Sequence, residues 1–188
     1  MIINDGIAVT SSPLIVKGKW REDTQSKYNN SLRNLTFINA TIRYTGIADK
    51  CCIMFWGHYN SIIEGLAISR ISNQCYIDMT GVWHTEFKNF DVPMICMNRD
   101  TSIISEKVFE NSVHTLKFCR GYIAGYNLKM NATGTWINSI HFTDTSFFSN
   151  KADYCIEYYG DQSFQNISFN KCDLSYAKKQ YFTLIDSM

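Results

Sequence analysis

The sequence predicts an all-β chain, a single-stranded right-handed parallel β-helix (a solenoid) of about six coils. Two observations carry this reading. A motif of the form apolar, any, turn residue, any, any, apolar recurs six times at nearly constant spacing. The composition is rich in Asn, Ile, Phe, Tyr, Thr and Ser, with sixteen asparagines against two prolines, which favours short strands joined by tight turns.

The six copies are Phe37 to Ile42, Ile63 to Ile68, Phe87 to Val92, Phe118 to Ile123, Phe142 to Phe147 and Phe169 to Leu174. Their leading residues lie 26, 24, 31, 24 and 27 positions apart. Strand alternation turns each leading residue inward and its neighbours outward. The third position is where the chain must corner. It is Asn39, Gly65 and Asn89 in the first three copies, residues that reach left-handed geometry cheaply. After the corner a second short strand begins, and its apolar residue again points inward. A further apolar segment follows about ten residues on, as in Cys52 to Trp56, Cys75 to Met79 and Asp153 to Glu157, closed by Gly57, Gly81 and Gly160. An antiparallel sandwich would need hairpin signals, and Asp5-Gly6 is the only Asn-Gly or Asp-Gly pair. The leucines of a leucine-rich repeat are missing from the required places.

The chain has 188 residues, enough for one domain over 1–188 with core coils at 34–174. Formal net charge is +1 with no basic stripe, so no nucleic-acid partner is expected. The opening MIINDGIAVTSS lacks the pattern of a signal peptide, and no apolar run has the length of a membrane span. Seven cysteines, an odd number without C-x-x-C spacing, argue against zinc and against a disulfide framework. They read as reduced thiols of a protein assembled in a reducing cytoplasm. No cofactor and no metal site is indicated. Solenoid ends need caps. Strand-like segments near both ends suggest a piece of a longer chain, or a subunit whose ends partners cover.

The apolar-x-Asn-x-x-apolar corner resembles the recurring turn of pectate-lyase-like right-handed β-helices, over about residues 34–174. The resemblance departs in the last three copies, where Arg120, Asp144 and Lys171 hold the corner and break any asparagine ladder. Within that superfamily the chain looks most like the β-helical body of a bacteriophage tailspike or capsule depolymerase, whose first coil the segment Ile7 to Gly18 resembles. The resemblance implies a homotrimer on the virion tail that binds, and usually cleaves or deacetylates, bacterial surface polysaccharide. The alternatives are a non-catalytic β-helical receptor-binding or structural domain, and a polysaccharide lyase or esterase.

Candidate site residues follow from the phase of the repeat. Glycoside hydrolysis uses paired carboxyl groups, and a separation of about 6.5–9.5 Å corresponds to inversion. Glu64 follows its inward anchor and Glu86 precedes the next one, so both are expected outward, one coil apart and two residues offset. That geometry gives roughly 8 Å between backbone positions. Alternate carboxylates are Asp78, Asp100, Glu106 and Glu110. The last three lie in or beside an insertion at 97–107 that lengthens the third repeat, and Arg99 and Lys107 there suit an acidic sugar. Trp56, Tyr59, Trp83 and Trp136 lie near glycines, where outward rings offer sugar-stacking surfaces and inward ones an internal ladder. The proposed groove joins Glu64, Glu86 and Trp83. The four histidines fall in no shared column and show no nucleophile–base signature.

Overall fold

The computed structural model describes residues 2–12, 14–17, 32–33, 35–48, 50–69, 75–98, 112–133, 135–160, 165–174 and 177–185. Every described strand pairing is parallel, and no helix occurs among the described residues. The strands form one solenoid-like sheet that wraps about 289° around an axis.

The leading column of the repeat is one continuous register. Phe37 pairs with Ile63, Ile63 with Phe87, Phe87 with Phe118, Phe118 with Phe142 and Phe142 with Phe169. The first five are 0–1% exposed, and Phe169 packs on the core from its partly buried place at the end of the column. Four of the rings stack nearly parallel. Phe87 to Phe118 is 4.8 Å between centroids, Phe118 to Phe142 is 4.6 Å and Phe142 to Phe169 is 5.1 Å. Neighbouring strands lie about 4.8 Å apart, so identical residues in register bring their rings to stacking distance without adjustment.

The second apolar position builds another inward column: Ile42 with Ile68, and Val92, Ile123 and Phe147 in succession. The later apolar segments supply a third inward wall, in which Ile53, Ile77, Ile95, Leu128 and Ile156 align. Three walls thus enclose one core.

Corners are marked by positive φ. All six third-position residues are left-handed, from 49° at Asp144 to 67° at Gly65. Arg120 and Lys171 therefore adopt the conformation of Asn39 and Gly65 despite side chains that do not favour it, whereas Asp144 is of a type that reaches it more readily. The packed strands on both sides of the corner fix it, and the local preference is overridden. A second corner column, unforeseen in the sequence, consists of Asn60, His84, Thr115, Ser139 and Asn166, with φ of 50–56°.

Candidate functional site

The first wall, built from the leading-column strands, turns two columns of side chains outward. Glu86, Lys117, His141 and Ser168 are in mutual register, with Ile62 preceding Glu86. Beside them run Glu64, Lys88, Cys119, Thr143 and Asn170. Ile62 pairs with Glu86 and Glu64 with Lys88, so the two glutamates occupy adjacent strands with a two-residue offset, as the repeat phase predicts.

Both carboxylates are half-buried and both are engaged. Glu86 forms an ion pair with Lys88 at 2.9 Å, and Glu64 Oε1 accepts a hydrogen bond from Asn89 Nδ2 at 3.1 Å. Glu86, first by its hydrogen bond and then by its charge, raises the Lys88 ammonium above the ordinary lysine range, with Glu64 adding to it.

Trp83 stands apart from this face, across the corner at His84. It is 6% exposed, and its Nε1 donates to Ser112 O at 2.8 Å and to Ser112 Oγ at 2.9 Å. His114 stacks on the indole at 4.9 Å, and Tyr59 meets it edge-on at 6.5 Å. His84 is exposed and lies 5.0 Å from the Tyr59 ring and 5.6 Å from the His114 ring. The rings accessible at this corner are those of Tyr59, His84 and His114, while Trp83 is their buried support. Burial holds His114 down at about 4, with the charge of His84 as the smaller cause.

The expected stripe after each glycine aligns Tyr59 with Trp83 but leaves Trp136 out of register. Trp83 pairs with His114, and His114 with Asn138, two residues beyond Trp136. Trp136 is 43% exposed at a separate place. Trp56 packs half-buried against an outer apolar cluster of Cys51, Met54, Tyr76, Met94 and Cys96. No family model, curated protein or solved structure matches this chain.

Asp78 belongs to the same outer region as that cluster. It aligns with Met54 on one side and Cys96 on the other and is 0% exposed, which closes it to a polymer substrate in this structure. Burial raises the Cys51 thiol above its ordinary range, and the neighbouring Asp78 charge adds to this. Glu157 lies three strands from Asp78 in the same column, too far for direct pairing. It accepts from Asn127 Nδ2 and from Tyr159 Oη and pairs with Lys129 at 3.2 Å. Arg99, Asp100, Glu106, Lys107 and Glu110 lie outside the described residues.

Among the described residues no group of three or more His, Cys, Asp or Glu side chains is placed to hold a metal ion, and no helix is long and apolar enough to cross a membrane. One pair escaped the sequence reading. His141 Nδ1 and Ser168 Oγ lie 2.8 Å apart on the outward face, a nucleophile–base geometry contrary to the expectation that the histidines offer none. The signal was present in the register, since both residues directly precede a stacked phenylalanine.

Proposed function

We propose that the chain is a right-handed parallel β-helix of about six coils, similar to the body of a phage tailspike, that binds and cleaves bacterial surface polysaccharide. In this reading it works as a homotrimer on the virion tail. The observation that carries the reading is the outward placement of Glu64 and Glu86 on adjacent strands, offset by two residues. Such an offset separates the backbone positions by roughly 8 Å, which leaves room for a water between two carboxyl groups and matches inversion.

In the mechanism this implies, Glu86 removes a proton from the attacking water while Lys88 holds its carboxylate in place. Glu64 protonates the leaving oxygen, oriented by Asn89. Tyr59, His84 and Trp136 offer ring faces for sugar stacking at the margins of the sheet, and Arg99 and Lys107 are the cations that would suit an acidic sugar. The occupied state of both carboxylates favours a second reading, a β-helical receptor-binding module that grips polysaccharide without cleaving it.

Incubation with a panel of capsular and O-antigen polysaccharides, followed by mass analysis of products, separates the two. Cleavage by the native chain that Glu86→Gln abolishes, with binding retained, supports the first. Binding without products from the native chain supports the second. Full activity in both Glu64→Gln and Glu86→Gln removes this pair from the mechanism.

A further inference from the structure

His141 and Ser168 face each other across two parallel strands, Ile137–Thr143 and Gln165–Asn170, and are direct partners in the pairing. Each lies between two core residues of its own strand, Ile140 and Phe142 for the histidine, Ile167 and Phe169 for the serine. Alternation therefore turns both outward. The serine is exposed and the imidazole half-buried, so a substrate reaches the hydroxyl while packing holds the ring.

We propose that Ser168 and His141 form a nucleophile–base pair that hydrolyses small acyl esters, such as an O-acetyl group carried by a hydroxyl-rich ligand. The 2.8 Å separation lies within the range over which a base takes the proton of an attacking hydroxyl. In the tautomer with the ring proton on Nε2, Nδ1 accepts from the Ser168 hydroxyl, and this is the tautomer the proposed chemistry requires.

As Ser168 Oγ attacks the ester carbonyl carbon, its proton passes to His141 Nδ1. The tetrahedral adduct collapses, the bond from carbon to the alcohol oxygen breaks, and that oxygen takes the proton from His141. Water then attacks the acyl-serine, again giving a proton to His141. The acid leaves as the proton returns to Ser168 Oγ. No redox partner is needed and all atoms balance.

Charge for the oxyanion is at hand. Lys117 is exposed and pairs with His141 on the strand opposite to Ser168. It stands one strand from the histidine and two from the serine, roughly 10 Å between backbones, which exceeds the length of a lysine side chain, so its charge would act on the oxyanion at a distance. Ser139 and Asn166, hydrogen-bonded to each other at 3.3 Å, and the exposed Asn170 surround the pair with groups that suit a polyol. The polyol part of the proposal rests on the carbohydrate reading above, whereas the ester chemistry rests on the pair alone.

The test uses two probes without a glycosidic bond, p-nitrophenyl acetate and a fluorophosphonate. The native chain is expected to hydrolyse the first with a burst and to bond covalently to the second at Ser168, located by peptide mass analysis. Ser168→Ala should lose both signals, and His141→Gln should lower the rate by about 10²–10⁴-fold. Circular dichroism of the variants shows that they are folded, since both side chains lie on the open face. Label on another residue, no label at all, or a Ser168→Ala variant as fast as the native chain overturns the proposal. Because neither probe contains a sugar, failure to cleave polysaccharide leaves this result standing, and failure here leaves the glycosidic reading standing.

Discussion

Phe118 lies between Phe87 and Phe142, and both neighbours stack on it within 5 Å and 15° of parallel. Each ring thereby fills the space its neighbours leave, and the column behaves as one packed object along the axis. Phe118→Ala is expected to cost about 3–5 kcal/mol in denaturant unfolding, because the cavity is walled by rings that the sheet holds in place. Phe169→Ala, at the partly buried end of the same column, should cost clearly less. Equal losses at the two positions would reject a shared column.

The corner residues make a second prediction. Arg120 holds φ at 54°, a conformation that costs a residue with a Cβ roughly 1–2 kcal/mol. Arg120→Gly should be neutral or stabilising by up to about 1 kcal/mol, and Arg120→Val should destabilise. Next to it, Gly121→Ala should be severe, since an added Cβ would sit 2.3 Å from carbons of the buried Phe90 ring. The order Gly, Arg, Val in thermal midpoint at residue 120 is the readout, and a reversed order would exclude left-handed strain there.

Acid should weaken the fold through His58. Burial lowers this histidine from 6.5 to about 4, even though its Nε2 hydrogen-bonds to the Val16 carbonyl, which acts the other way. Above pH 6.5 the ring is neutral in both states and stability is complete. As pH falls below that value the unfolded chain takes up a proton that the folded chain refuses. Up to about 3 kcal/mol is lost by pH 4. His114 acts in the same direction more weakly, being half-exposed. His58→Gln keeps a donor for Val16 and should flatten the slope of stability between pH 6.5 and 4. An unchanged slope would assign it to other groups.

All seven cysteines are free thiols, and only Cys119 and Cys172 are more than marginally accessible. A thiol reagent applied to the native chain should modify these two rapidly and the other five slowly. Seven should titrate in denaturant without reductant. Fewer than seven in denaturant would mean that oxidation joins some of them.

The core was legible in the sequence because inward positions obey a strict rule. A bulky apolar residue at constant spacing has one place to go in a stacked sheet, and Phe37 through Phe169 take it. The left-handed corners were legible at Asn39, Gly65 and Asn89 and hidden at Arg120 and Lys171, whose type advertises no turn. The exterior obeys a weaker rule. Glu64 and Glu86 could be placed from the phase of the repeat, but their engagement with Asn89 and Lys88 depends on side-chain reach. Trp83 misled because the left-handed His84 puts a corner between it and Glu86. A chain that corners loses the alternation on which its facing was inferred. The bulge between Cys51 and Ile53 interrupts the strand that leads to Trp56, again beyond what spacing alone reveals.

The uniformly parallel pairing of the described strands also governs how the chain reaches this state. Along the leading column each strand joins partners 24 to 31 positions away, so every rung closes a loop of similar length and none is reached by a local hairpin. Closure entropy changes little over that span. No rung is therefore privileged by length alone, and nucleation is expected at the levels with most to bury, those of Phe87, Phe118 and Phe142. Growth then proceeds in both directions along the axis, each new strand finding a finished template beside it. Pulled from its termini, such a molecule yields as a zipper does, one level at a time.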